Sequence, residues 1–146
     1  MTDIASPLTG TVVALDDVKD EVFAERVMGD GAAVFPTDGR VVAPLDGNLA
    51  KLFEGGHGFA IENDAGLQVL VHVGIDTVHL KGEGFTVHAR EGDDVKAGDH
   101  VVTVDLQKMA AKGIDMTSPV VVISGHSPTV VAGKEVTAGD VLMSVE

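Results

Sequence analysis

Apolar and polar residues alternate in short runs along this chain, and glycine or proline clusters interrupt almost every run. An every-second-residue pattern marks a strand with one buried face, and the interruptions mark turns. The pattern predicts strands over Gly10–Leu15, Ala32–Phe35, Gly39–Ala43, Gly47–Phe53, Phe59–Glu62, Leu67–Gly74, Thr86–Ala89, His100–Asp105, Val120–Ser124 and Val141–Val145. Helical spacing is confined to two short stretches, one around Glu21–Val27 and one over Leu106–Lys112, the second opened by Asp105 as N-cap.

Two segments echo others. Ser6-Pro7-Leu8-Thr9-Gly10-Thr11-Val12 resembles Ala43-Pro44-Leu45-Asp46-Gly47-Asn48-Leu49, and Val95-Lys96-Ala97-Gly98-Asp99 resembles Val136-Thr137-Ala138-Gly139-Asp140. The spacing is too irregular for a solenoid. It fits a mainly β fold with internal duplication, an antiparallel β-sandwich or flattened barrel with short helical segments, in one domain over residues 1–146. Independent use of two common turn sequences would look the same.

One hairpin carries the candidate chemistry. Asn63–Gly66 is a turn cluster between Phe59–Glu62 and Leu67–Gly74. A two-residue loop (Asp64-Ala65) pairs Asn63 with Gly66, and a four-residue loop pairs Glu62 with Leu67. Both give one register, which sets His57 directly opposite His72, whereas an odd loop or a bulge breaks it. Leu67, Val69, Val71, Val73 and Ile75 alternate onto the predicted core side, and Gln68, Leu70, His72 and Gly74 onto the other.

The 146 residues are enough for a real core without covalent staples, and the absence of cysteine excludes disulfides and thiolate chemistry. No basic stretch followed by an apolar one opens the sequence, and no apolar run approaches bilayer length. The expectation is a cytoplasmic protein with no direct membrane insertion. Acidic residues number 23 against 10 basic, a formal charge of −13, which disfavours nucleic-acid binding and suits either a basic partner or plain solubility.

A neutral imidazole is a nucleophile near pH 7 and can hold a phosphoryl group covalently, while a second imidazole donates to its oxygens. No Gly-x-Ser-x-Gly and no Gly-x-x-x-x-Gly-Lys motif is present, so serine hydrolysis and nucleotide binding are not expected. A histidine pair on a hairpin fits a functional site or a satisfied structural pair. Within function, zinc on His57 and His72 with a carboxylate such as Asp76 competes with phosphoryl transfer.

Gly66-Leu67-Gln68-Val69-Leu70-Val71-His72-Val73-Gly74-Ile75-Asp76-Thr77-Val78 resembles the active-site signature of the glucose-family enzyme IIA (EIIA, type 1) of the bacterial phosphoenolpyruvate-dependent sugar phosphotransferase system. The similarity runs from about Ser6 to Val145 and includes Val22-Phe23-Ala24, Met28-Gly29-Asp30-Gly31, Val42-Ala43-Pro44-Leu45-Asp46-Gly47, Leu80-Lys81-Gly82-Glu83-Gly84-Phe85 and Ser118-Pro119-Val120-Val121. The resemblance implies a β-sandwich of the duplicated hybrid motif and a cytoplasmic phosphotransferase component with no required cofactor. It implies that His72 takes phosphate from the phosphocarrier HPr and gives it to a cysteine of the IIB domain of a sugar permease. His57 matches the second active-site histidine. Val22, Phe23, Val27, Met28, Phe53, Leu70 and Val78 match an apolar patch on which both partners dock, and Asp20 and Asp76 match acidic positions that meet an arginine of the carrier.

Gly55 stands where the family commonly has a threonine that orients the second histidine, and His79 stands where glutamate is common. The amphipathic N-terminal tail of some members is not expected, and His79, His88, His100 and His126 are expected at the surface. A biotinyl or lipoyl carrier would need Met-Lys-Met or Asp-Lys-Ala, and neither occurs. A related metallopeptidase would add His-x-His to the His-x-x-x-Asp formed by His72 and Asp76, and no His-x-His is present.

Overall fold

In the computed structural model, which describes residues 2–146, antiparallel strands form three sheets. The eight-stranded sheet runs, edge to edge, Glu135–Val136, Gly10–Ala14, Asp30–Pro36, Ser118–Val122, Gln68–His72, Gly58–Glu62, Gly47–Leu52 and Asp94–Val95. Two three-stranded sheets cover it: Thr2–Ala5, Val141–Val145, Thr129–Val130, and Arg40–Val42, His100–Val104, Phe85–Val87. The architecture is a sandwich, and the flattened-barrel alternative falls because among the described residues no sheet closes on itself.

The duplication is written into the backbone hydrogen bonds. Ser6 N–H donates to Asp140 O (2.7 Å) and Ser6 O accepts from Gly139 N–H (2.9 Å). At the echoed positions, Ala43 N–H donates to Asp99 O (2.8 Å) and Ala43 O accepts from Gly98 N–H (2.9 Å). The copies also grip each other, Ala5 N–H on Pro44 O and Val42 N–H on Pro7 O, both at 2.8 Å. Even a side-chain cap repeats: Ala97 N–H donates to Asp46 Oδ1 (2.8 Å) and Ala138 N–H to Thr9 Oγ1 (2.9 Å). Gly10 and Gly47 hold equivalent places, and a Cβ at either would collide with a carbonyl oxygen of the neighbouring strand, that of Phe35 or Glu62. The glycine of each echoed Pro-x-x-Gly is therefore dictated by close strand approach.

The alternation expected from sequence sorts the side chains into two clusters. Val69 and Val71 enter the main core with Phe59, Ile61, Val120 and Met143 between the sheets. Leu70 enters a smaller cluster on the outer face of the large sheet, with Phe23, Ala60 and Val121. Ile75 joins this second cluster rather than the main core, because Gly74 (φ 79°) interrupts the strand alternation.

The helix expected over Glu21–Val27 is only α1 (Glu21–Ala24). It is capped by Asp20, whose side chain accepts from Val22 N–H (2.9 Å). It ends where Arg26 turns left-handed (φ 60°), with Arg26 N–H on Phe23 O and Val27 N–H on Val22 O. Arg26 holds this turn through ion pairs to Asp16 (2.6 Å) and Asp30 (2.8 Å). The second helix, α2 (Leu106–Ala111), forms as expected, and Asp105 accepts from Lys108 N–H (3.1 Å). Thr2–Ala5 and the two-residue strands Asp94–Val95, Thr129–Val130 and Glu135–Val136 were not expected. Among the described residues, no helix is long and apolar enough to cross a membrane.

Candidate active site

The hairpin joining Gly58–Glu62 to Gln68–His72 differs from its expected register by one residue. Gly58, not His57, pairs with His72, and Glu62 pairs with Gln68. The loop proper is the odd Asp64-Ala65-Gly66, closed by Asn63 N–H on Leu67 O (3.0 Å), with Gly66 left-handed at φ 85°. The Asn63 side chain selects this loop by accepting from Ala65 N–H (3.0 Å) and Leu67 N–H (2.9 Å).

The two imidazoles meet all the same, with ring centroids 5.4 Å apart and planes at 68°. Gly55 and Gly56 (φ 89° and 90°) turn the chain just before His57. His57 O then accepts from Val73 N–H (2.7 Å), and its ring stacks on Phe53 (5.4 Å, 27°). Gly58 keeps the space open, since a Cβ there would lie 2.5 Å from the Phe53 ring. Phe23 flanks the other side of His72 at 5.4 Å.

Hydrogen bonding decides which nitrogen of His72 carries the proton. Nδ1 lies 2.7 Å from Gly74 O. A carbonyl oxygen only accepts, so Nδ1 carries the proton and Nε2 keeps its lone pair. His72 is half-buried, and its pKa is lowered from 6.5, first by burial and then by the charge of His57. The Gly74 carbonyl, Asp20 and Asp76 oppose that shift. His57 is buried, and desolvation lowers its pKa against the backbone carbonyl of Glu54. Its Nδ1 meets no partner at hydrogen-bonding geometry. Both rings are therefore neutral at pH 7, and the pair suits covalent capture of an electrophile at Nε2.

The residues grouped as a docking patch fall into two layers. Val22, Val27, Met28 and Val78 are exposed, Val27 to 70%. Phe53 is half-buried and packs against the outer-face cluster, in which Phe23 and Leu70 are buried. Asp20 sits at the head of α1, and Asp76 is exposed in a left-handed turn (φ 61°). Lys81, which the sequence marks only as part of a matching segment, lines one cavity of about 620 Å³ with Phe53, Glu54, His57 and Val78. Its neighbours in Lys-Gly-Glu-Gly were the available signal, since left-handed backbone at Lys81 and Gly82 folds that segment back against Gly55.

The remaining histidines stand apart from this pair. His79 is exposed, and His126 is exposed with its Nδ1 on Ser124 Oγ (2.7 Å). His88 is exposed and stacks at 4.2 Å on the half-buried His100, both bonded to Thr103 Oγ1. Among the described residues no three His, Cys, Asp or Glu side chains gather as a metal site, which leaves zinc at His57 and His72 without a third protein ligand.

Comparison with known proteins decides the family. A family model described as phosphoenolpyruvate-dependent sugar phosphotransferase system, EIIA 1, matches residues 2–127. The chain belongs to the type-1 EIIA family. The glucose-specific EIIA component of Mycoplasma capricolum is 40% identical over 141 residues, covering 95% of this chain and 92% of that protein. The glucose-specific EIICBA component of Streptococcus pneumoniae is 48% identical over 125 residues, covering 86% of this chain. This EIIA chain spans less than a fifth of the length of such EIICBA relatives, 17% in that case. The solved structure of glucose permease IIA from Mycoplasma capricolum superposes with a TM-score of 0.92 at 39% identity, covering 97% of this chain and 94% of that one.

Proposed function

We propose that this EIIA chain relays a phosphoryl group through His72 in the cytoplasm. The lone pair of His72 Nε2 attacks the phosphorus of phosphohistidine on HPr. The donor N–P bond breaks as the new one forms, and the proton stays on His72 Nδ1, donated to the Gly74 carbonyl. A cysteine thiolate of a IIB domain then attacks, the S–P bond replaces the N–P bond, and His72 returns to neutral imidazole. No cofactor takes part.

The observation that carries this reading is the Nδ1–Gly74 contact at 2.7 Å, which aims the free lone pair out of Nε2 beside a second imidazole. In-line transfer needs placement and stabilisation of spread negative charge. An N–H of His57 is the group at hand for that charge, and Lys81 lines the same cavity as His57. The exposed Val22, Val27, Met28 and Val78 and the half-buried Phe53 form the surface on which HPr and IIB dock. Asp20 and Asp76 offer carboxylates to a basic partner. The EIICBA relatives join an A part to B and C parts in one chain, which supports IIB as the acceptor.

The test is labelling by phosphoenolpyruvate, enzyme I and HPr. The native chain takes one phosphate, and His72→Ala takes none. A fully labelled His72→Ala chain would move the site elsewhere.

A further inference from the structure

We propose that Ser118 is a positioning residue for His72, acting through the Gly74 peptide units to keep the proton on Nδ1. This inference rests on the reading of His72 as phosphoryl acceptor.

The reactive lone pair exists at Nε2 only while Gly74 O stays aimed at Nδ1 (2.7 Å). Glycine backbone is soft, so something else must hold that carbonyl. The segment Asp115–Ser118 does so from behind. The Gly74 carbonyl shares its peptide unit with Ile75 N–H, and in a trans unit the two point in opposite directions. Ile75 N–H donates to Asp115 O (2.8 Å), which drives Gly74 O toward the imidazole.

The preceding peptide unit is held at both ends by side chains. Gly74 N–H donates to Ser118 Oγ (3.0 Å), and Ser118 Oγ–H donates to Met116 O (2.7 Å). Val73 O accepts from Thr77 Oγ1 (2.6 Å). Ser118 is fully buried, so the hydroxyl that receives Gly74 N–H is out of reach of bulk water. Position 74 cannot be stiffened instead by a side chain. A Cβ there would lie 2.7 Å from Thr77 Cγ2 and 3.0 Å from Met116 Sδ, on a backbone at φ 79°. Without the serine hydroxyl, a buried N–H loses its acceptor and the Gly74 units rotate to recover one. The carbonyl then leaves Nδ1, and the imidazole proton redistributes between its two nitrogens.

The decisive measurement is the 15N spectrum of the His72 ring in the full chain, at a pH where the ring is neutral, read beside phosphoryl acceptance from phospho-HPr. In the native chain the proton sits on Nδ1. In Ser118→Ala it is shared with Nε2, acceptance slows on the order of tenfold, and KM for the donor is unchanged. Ser118→Thr, which keeps a hydroxyl, restores both readouts. If Ser118→Ala folds poorly, Ser118→Cys, a weak acceptor of similar size, is read in its place. A His72 ring that keeps its Nδ1 proton in the variant overturns the proposal, as does a native transfer rate. A native chain that accepts no phosphate would overturn the relay reading alone, because the ring spectrum still decides the role of Ser118.

Discussion

Gly55 and Gly82 are pressed backbone to backbone: a Cβ on Gly55 would lie 2.6 Å from the Gly82 nitrogen and 2.7 Å from its Cα. Gly55 also has φ 89°, a region that β-branched residues avoid. The threonine common at this place in the family therefore does not fit this chain as it is folded. Gly55→Thr should destabilise the protein by roughly 1–3 kcal/mol, seen as a lower urea midpoint, and should not improve the setting of His57. An unchanged midpoint would show that the Lys81–Gly84 segment yields freely.

The acid limb of stability should carry the mark of both site imidazoles. Their pKa values lie below the ordinary 6.5, chiefly because burial penalises the charged ring. As pH falls, the unfolded chain takes up these protons before the folded one does. The stabilisation is thus complete above about pH 6.5 and is lost as pH drops from there through the folded pKa values. His72→Gln should flatten that limb in urea titrations between pH 7.5 and 5. The same loss of stability in native and variant chains would contradict the burial argument.

Removing the second imidazole should separate the two half-reactions. His57 is buried against Phe53, and its ring meets His72 edge-on. His57→Gln should accept phosphate from HPr within about threefold of the native rate. It should pass phosphate to IIB about a hundredfold more slowly, the scale of one lost acid or hydrogen-bonding group. Rapid-quench kinetics of each half-reaction reads this directly, and native donation would make His57 dispensable.

The exposed layer of the patch can be tested without touching the fold. Val27 is 70% exposed, so Val27→Ser should alter stability by less than about 0.5 kcal/mol. If partners dock there, KM for phospho-HPr rises about three- to tenfold with kcat held, as expected for one apolar contact of ~1 kcal/mol. An unchanged KM would place the interface elsewhere.

Much of this geometry was legible in the residues themselves. Alternation through Val69, Leu70, Val71 and His72 assigned each side chain to its correct face, and the paired echoes announced the duplicated closures. The hairpin register was not legible, because Asn-Asp-Ala-Gly admits loops of two, three or four residues. The choice is made by the Asn63 side chain bonding two amides. The helix end at Ala24 was hidden because arginine rarely adopts the left-handed turn, and here Asp16 and Asp30 hold Arg26 in it. Phe23 and Leu70 carry no sequence mark separating them from Val22 and Val27; burial does that. The bonds behind Gly74 join residues some forty positions apart and depend on the folded strands.

The doubled clasp bears on where this protein can be cut. The family match stops at residue 127, yet the buried Ser6 has both backbone groups committed to Gly139 and Asp140. A fragment trimmed to the match would keep the Ala43–Asp99 fastening and forfeit its twin, leaving one seam shut and the other gaping around desolvated amides. The last nineteen or so positions are thus a bolt for the first strands rather than a trailing appendage.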